Sequence, residues 1–271
     1  SNPSGAGYGR DEMKAITDVL VRHDHVLVMS DDIYEKLVYD GAKFTSVTGF
    51  SEEHLAHTII VHGLAKAYSM TGWRVGWMVV PEDQVRVVER IAQNMFICAP
   101  HASQIAALAA MDCDDELQAN LAVYRRNRDL MITGLKEAGF TDIAPPDGAF
   151  YVYADVSRFT DDSRAFAAEI LEKAGVAVTP GLDFDPARGH KTLRFSYARS
   201  TADMEEGIAR LKDQVDTLIV IDNDRLLQLN ALGEQTYTWE DALKMADSVL
   251  QQGIQAIAEV VTVPGEINVD F

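Results

Sequence analysis

Two apolar rhythms alternate along this chain. Between Asp11 and His23, the residues Met13, Ile16, Val19 and Leu20 recur at helical spacing and predict an amphipathic helix. HVLVMS then reads as a short, fully buried strand, and HTIIVHG and RVGWMVV are two further apolar runs that end at turn residues. Helix and strands in that order predict an α/β sheet. Pro81 is placed to open the helix after the third run, because a proline loses nothing where the first N–H groups of a helix have no partner. Leu117, Leu121, Tyr124, Met131 and Leu135 mark one face of a long amphipathic helix that closes near Gly139.

From Gly148 the pattern changes. GAFYVYADV and TLRFSYA read as strands and SRAFAAEILEKAG between them as a helix, so a smaller α+β domain is expected. A helix ending near Val215, the apolar strand DTLIVID, a short helix, a polar loop and a helix carrying Leu243, Leu250, Ile254 and Ile257 complete the series. No internal repeat or low-complexity tract interrupts it.

At 271 residues there is room for two domains and a sizeable core. Asp and Glu number 42 against 24 Lys and Arg, a formal net charge of -18. Such a surface repels phosphate backbones and anionic headgroups, so neither nucleic acid nor membrane is an expected partner. No stretch is long and apolar enough to span a bilayer. The acid excess fits a salt-rich cytoplasm whose counterions screen the self-repulsion, the pattern of a halophilic protein. Cys98 and Cys113 lie in apolar or helical contexts without metal spacing and are expected to be reduced, structural thiols. The histidines show no ligand spacing, so no metal site is expected, and His62 reads as structural with no partner acid implied. No signal peptide is visible, and the opening SNPSGAGYG, without Met, is a turn-rich phrase of the kind found inside a domain.

The chemistry concentrates around GLAKAYSMTGWRVGW, residues 63–77. A lone lysine between a small-residue turn and a Thr-Gly bend suits an amine that carries pyridoxal 5'-phosphate as a Schiff base. Such a site also needs a cation for the phosphate, an acid on the pyridine nitrogen, a donor for the ring oxygen and a grip on a substrate carboxylate. Lys66 is the candidate amine, and Arg74, eight positions on, brings a fork of donors for the phosphate. Asp31 stands at the end of HVLVMS, where open α/β sheets place ligand contacts, and could keep the pyridine nitrogen protonated; its alternative is to cap a helix from Asp32. Tyr34 and Asn2 are candidate donors to the ring oxygen. Arg194, a charge inside the apolar strand TLRFSYA, demands an anion, either a substrate carboxylate or a neighbouring acid.

NPSG, SDDIYEKLVYDG, GLAKAYSMTGWRVGW, GAFYVY, VTPG and LRFSYA stand in an order and spacing that resembles the class I aminotransferases, fold-type I enzymes, with wording most like the aspartate-aminotransferase branch. The resemblance covers residues 1 to about 213. It implies amino-group transfer between an amino acid and a 2-oxo acid, a homodimer, and a site in which Lys66 is the Schiff-base lysine and acid/base. Asp31 is then the pyridinium partner, Tyr34 and Asn2 the ring-oxygen contacts, Arg74 a phosphate ligand and Arg194 the carboxylate clamp. The domains implied are a partial cofactor-binding large domain at 1–98 and interdomain helices with the small domain at 99–213. Two positions depart from the family: Ala65 replaces a frequent serine, and Phe184-Asp185 replaces Phe-Gly after VTPG. Members of this family carry nearly as much chain again before NPSG, including a phosphate-cradling turn and a ring-stacking aromatic, so the site as given is expected to lack one wall.

Residues from about 214 to 271, through GIARLKDQVDTLIVIDNDRLL and DALKMADSVLQQGIQAIAEVVTVPGEINVDF, resemble a middle segment of FtsZ, the prokaryotic tubulin homologue. That likeness implies a strand and helix leading to a loop in which Asn268 and Asp270 face a neighbour's nucleotide. Asn223 and Asp247 fall near its guanine-contacting positions, or equally in a turn and on a solvated helix face. The glycine-rich phosphate loop of that family does not occur here, so autonomous GTP hydrolysis is not expected. The readings in competition are therefore an aminotransferase, an FtsZ-like assembly module, and a chimeric scaffold with neither activity.

Overall fold

The computed structural model describes residues 2–23 and 25–215, the side chains of residues 214 and 215 excepted. Residues 1–214 form one compact unit, and residues 216–271 lie outside the described residues. The FtsZ-like segment, with Asn223, Asp247, Asn268 and Asp270, falls there.

Helix α1 (Arg10–Leu20) begins where the Gly9 N–H donates to the Glu12 carboxylate at 2.8 Å. Asp11 and Glu12 in its first turn complement the helix dipole. Of the predicted apolar face, Ile16 and Val19 are exposed, and Thr17 is the buried residue of the helix.

Strand β1 (Val28–Asp31) pairs parallel with β2 (Thr58–Gly63), which pairs antiparallel with β3 (Gly76–Val79). Gly63 faces Gly76 in the register, and a Cβ on Gly76 would lie 2.9 Å from the His62 carbonyl, so only glycine permits this approach. The predicted burial of HVLVMS is corrected here: β1 alternates between half-buried and exposed, and Met29 is 72% exposed. All four residues of β3 are exposed as well. Apolar runs specify the strand, but burial needs a covering layer, and no described element covers these faces.

Between the first two strands, α2 (Glu52–Ala56) is capped by Ser51. Pro81 sits at the N-cap of α3 (Glu82–Met95), in which no residue is buried, and α4 (His101–Ala110) follows. Cys98 lies exposed between them, so the expectation of a structural thiol fails at that position.

The long helix is α5 (Asp114–Glu137), with Leu117, Leu121, Met131 and Leu135 buried, Tyr124 packed against the core, and Gly139 at φ +86° beyond its end. A second sheet, antiparallel, joins β4 (Tyr151–Asp155), β6 (Thr192–Ser196) and β5 (Thr179–Pro180) in that order. Helix α6 (Ser163–Ala174), capped by the Asp162 carboxylate and ended by left-handed Gly175, connects β4 to β5; α7 (Thr201–Val215) closes the unit. One face of this sheet carries Val152, Ala154, Leu193 and Phe195 into the core against α5 and α7. Val152, Leu193 and Phe195 each contribute about 1.5–3 kcal/mol when fully buried. The opposite face carries Tyr151, Tyr153, Arg194 and Thr179, paired across the strands.

Candidate functional site

That polar face of the second sheet meets the carboxyl edge of the first. Asp31 ends β1, and the loop from Leu64 to Val75, containing Lys66 and Arg74, leaves the same edge from β2. The lysine loop is built from its anchors. Leu64 and Ala67 are buried, the Leu64 carbonyl accepts from the Tyr68 and Met70 N–H groups, and Thr71 Oγ1 donates to the Ala65 carbonyl at 2.9 Å. Lys66 is left half-buried on the other side, its Nζ 5.9 Å from the centre of the Phe150 ring. Among the described residues it has no ion pair.

Phe150 leads on to the rest of the site. Ala149 before it is fully buried at φ +57°, a left-handed conformation that a non-glycine holds only when its surroundings over-determine it. They do: its N–H donates to the Leu37 carbonyl, and its own carbonyl accepts from the hydroxyls of Tyr39 and Tyr197. Tyr34 packs edge-on against Phe150 and Tyr151, and its hydroxyl lies 3.1 Å from that of Tyr151. Burial foremost, then the Tyr151 hydrogen bond, raises the Tyr34 pKa well above the ordinary range, with Asp31 adding to the shift and Arg194 opposing it. Tyr34 therefore stays a hydrogen-bond donor at any physiological pH.

Arg194 lies between two rings, its guanidinium carbon 4.3 Å from the Tyr151 centroid and 4.6 Å from that of Phe184. Nη1 donates to Asn2 Oδ1 at 2.7 Å and Nη2 to Thr179 Oγ1 at 3.2 Å. Nε is buried without a partner, and among the described residues no carboxylate pairs with this cation. Of the two anions the sequence allowed, the neighbouring acid is therefore not what Arg194 meets in this fold.

The sequence candidates fall into three groups. Lys66, Tyr34, Asn2 and Arg194 are drawn together through Phe150 and Tyr151. Asp31 is exposed at the strand edge, where its Oδ1 accepts from the Ile33 N–H; the following residues form a turn, so the helix-capping alternative is not realised. Asp32, its neighbour, is instead buried and held by Ser30 and Ser46. Arg74 is exposed, in the left-handed conformation at φ +52°, with Nη1 donating to the Thr71 carbonyl. It shares the edge with Lys66 and Asp31 but touches neither. His62 has the acid partner that the sequence did not suggest. Its ring stacks on Trp77 at 4.7 Å, Nδ1 accepts from Gly63, and Nε2 lies 3.4 Å from Glu35, which the turn after Asp31 brings over β2.

Sequence reasoning gave Tyr151 and Phe150 no role, although both lie in the quoted GAFYVY, whose aromatic density reads equally as core; Phe184 was singled out only as a departure after VTPG, and Thr179 only as part of that motif. No cluster of three or more potential ligands could hold a metal, and no helix is long and apolar enough to cross a membrane, among the described residues.

Comparison with known proteins identifies the family. The family model for aminotransferase class I and II matches residues 1–211. The valine–pyruvate aminotransferase of Mycobacterium tuberculosis is 43% identical over 213 residues, covering 78% of this chain and 54% of that protein. The aspartate/prephenate aminotransferase of Cereibacter sphaeroides is 38% identical over 224 residues, covering 78% and 55%. A Silicibacter pomeroyi crystal structure, whose aminotransferase assignment is itself provisional, superposes at a TM-score of 0.73 with 62% identity, over 80% of this chain and 57% of that one. The chain spans a little over half the length of the curated relatives it matches.

Proposed function

This chain belongs to the class I and II aminotransferases, with the α/β, type I fold of that family, and on that premise we propose that it carries the lysine and the carboxylate clamp of a pyridoxal-5'-phosphate-dependent aminotransferase. The substrates in this reading are an amino acid and a 2-oxo acid. The observation that carries it is Arg194: a cation with a buried, unpartnered Nε, no acid beside it among the described residues, and a chain of aromatic contacts leading to Lys66.

The residues present fit the cofactor. Lys66 would hold it covalently, Asp31 would meet its ring nitrogen, Tyr34 and Asn2 its ring oxygen and Arg74 its phosphate. When bound, the group acts as an electron sink for the substrate's α-carbon. Lys66, half-buried and without an ion pair among the described residues, would be freed when the substrate amine takes its place, and its amine would then be the base that takes a proton from that carbon and returns it. Tyr34, kept protonated by burial, donates a hydrogen bond and does not compete as a base. Arg194, held flat between two rings and gripped by Asn2 and Thr179, receives the α-carboxylate and fixes which bond faces Lys66.

The same reading includes a homodimer, a cytoplasmic setting rich in salt, and a division near residue 98 between a cofactor-binding part and a small domain. The acid excess supports the salt-rich setting; raising KCl from 0.1 to 2 M should then raise the melting temperature, and a falling one would remove it. The FtsZ-like wording of residues 214–271 rests on sequence alone, and no geometry favours an assembly module or an inert scaffold over the aminotransferase reading. The deciding experiment incubates the chain with pyridoxal phosphate, fixes it with borohydride and maps the modified lysine by mass spectrometry. Label confined to Lys66, and lost in Lys66→Ala with helix content unchanged, is the expected result. Label scattered over several lysines would overturn the assignment.

A further inference from the structure

Tyr151 joins the two halves of the candidate site, and none of the sequence motifs assigned it a role. It opens β4 opposite Ser196, so it shares a sheet face with Arg194, whose cross-strand partner is Tyr153. Its ring lies under the Arg194 guanidinium, 4.3 Å from the guanidinium carbon, while its hydroxyl is 3.1 Å from that of Tyr34. The residue is 6% exposed, and its hydroxyl contact with Tyr34 is buried.

Two phenols in contact can order their protons in either direction. A ligand oxygen facing Tyr34 accepts the hydrogen bond of the Tyr34 hydroxyl, and the Tyr34 oxygen is then free to accept from Tyr151. The two bonds run in series and strengthen each other. On its ring face Tyr151 meets the cation that receives a carboxylate, where a flat aromatic fixes the plane of the guanidinium as well as attracting it.

We propose that Tyr151 is a positioning residue that couples the carboxylate clamp at Arg194 to the hydrogen bond Tyr34 makes to the cofactor's ring oxygen. This rests on the reading of Lys66, Tyr34 and Arg194 given above. The hydroxyl and the ring act on different partners, so they separate by substitution. Tyr151→Phe keeps the ring under Arg194 and removes the donor to Tyr34. Tyr151→Leu removes both.

The test uses two readouts, neither of them turnover. The first is the pH midpoint at which the visible band of cofactor-loaded protein changes. A weaker donor on the ring oxygen leaves the chromophore holding its proton to higher pH, so Tyr151→Phe should raise the midpoint by roughly 0.5–1 unit, the worth of one neutral hydrogen bond. The second is the affinity of cofactor-free protein for 2-oxoglutarate by calorimetry. Tyr151→Phe should leave it within about twofold, whereas Tyr151→Leu should weaken it about 3- to 10-fold, the range of one cation–π contact. Tyr34→Phe serves as the reference for the first readout. If Tyr34→Phe shifts the midpoint and Tyr151→Phe does not, Tyr34 acts alone and the coupling is wrong while the function stands. If Tyr34→Phe also leaves it unmoved, or no band forms, the functional reading fails and the coupling with it. Equal affinity losses in Tyr151→Phe and Tyr151→Leu would overturn the role of the ring.

Discussion

Arg194 Nη1 donates to Asn2 Oδ1 at 2.7 Å, a contact between residues 192 positions apart. The opening NPSG turn is thereby tied to the last strand of the second sheet. Asn2 is exposed, so the bond does little for folding, and its use lies in fixing the fork of the guanidinium. Asn2→Ala should therefore weaken 2-oxoglutarate binding about 3- to 10-fold, as expected for one charge-assisted hydrogen bond partly replaced by water. The urea midpoint should correspond to a change within about 0.5 kcal/mol. Calorimetry and denaturation of the same preparation check both; a large stability loss with unaltered binding would make Asn2 a structural residue.

Replacing the arginine itself separates charge from shape. Arg194→Lys keeps the cation but loses the planar fork that Tyr151 and Phe184 hold from either side. Lysine cannot reproduce the paired bonds to a carboxylate, so binding should fall by about 10- to 100-fold, or about 1.5–3 kcal/mol, with circular dichroism unchanged. A lysine variant that binds 2-oxo acids as tightly as the parent would rule Arg194 out as the clamp.

What the sequence revealed and what it hid follow from where each kind of information resides. Lys66, Arg74 and the paired glycines Gly63 and Gly76 lie in one continuous phrase, because a lysine loop leaving a strand edge is a local structure. The long helix was legible for the same reason, since the spacing of Leu117, Leu121, Met131 and Leu135 is a helix repeat. Burial was not legible. RVGWMVV looks like a core strand, yet β3 is wholly exposed, since a run of apolar residues cannot say whether another layer covers it. Tyr151 was hidden because its role comes from two partners distant in sequence, Tyr34 and Arg194, while its immediate neighbours make it look like one more core aromatic. Glu35 beside His62 escaped notice likewise, the two being brought together by a turn and a strand pairing.

Alkaline pH should unfold this protein through its buried phenols. Burial pushes the Tyr39 hydroxyl up to about 12, against the opposing influence of Tyr197 and Arg128, and Tyr197 is raised as well, chiefly by burial. Below pH 10 both states hold these protons and stability is unaffected by them. Above it the unfolded chain loses protons that the fold retains, so stability falls as pH rises from 10 towards 12, by about 2–3 kcal/mol for Tyr39 alone. Denaturant midpoints measured between pH 8 and 11.5 should be flat and then decline. Tyr39→Phe should begin about 1 kcal/mol lower, having lost its bond to the Ala149 carbonyl, and decline less steeply. A parallel decline would mean that Tyr39 ionises in the fold as readily as in the unfolded chain.

Gly134 of α5 lies against Ile208 of α7 with no room for a side chain. A Cβ there would stand 2.3 Å from Cγ2 of Ile208 and 3.1 Å from its Cδ1, and Ile208 is itself buried. The Cγ2 methyl is fixed close to its own backbone, so relief requires α7 to move away from α5, opening the contacts of Met204 and Leu211 in the same core. Overpacking of this kind outweighs the gain in helix propensity of about 1 kcal/mol that alanine brings over glycine. Gly134→Ala should therefore cost about 1–3 kcal/mol, whereas Gly49→Ala, where nothing lies within 4 Å of the added methyl, should stay within about 0.5 kcal/mol. Pairing Gly134→Ala with Ile208→Val leaves Cγ2 in place and removes only the Cδ1 methyl, so it should recover a minor part of the loss, while Ile208→Ala removes the clashing atom and should recover most of the clash at the expense of a smaller core. Urea unfolding of the four variants beside the parent distinguishes these cases, and a Gly134→Ala variant more stable than the parent would show that α5 and α7 are not in contact here.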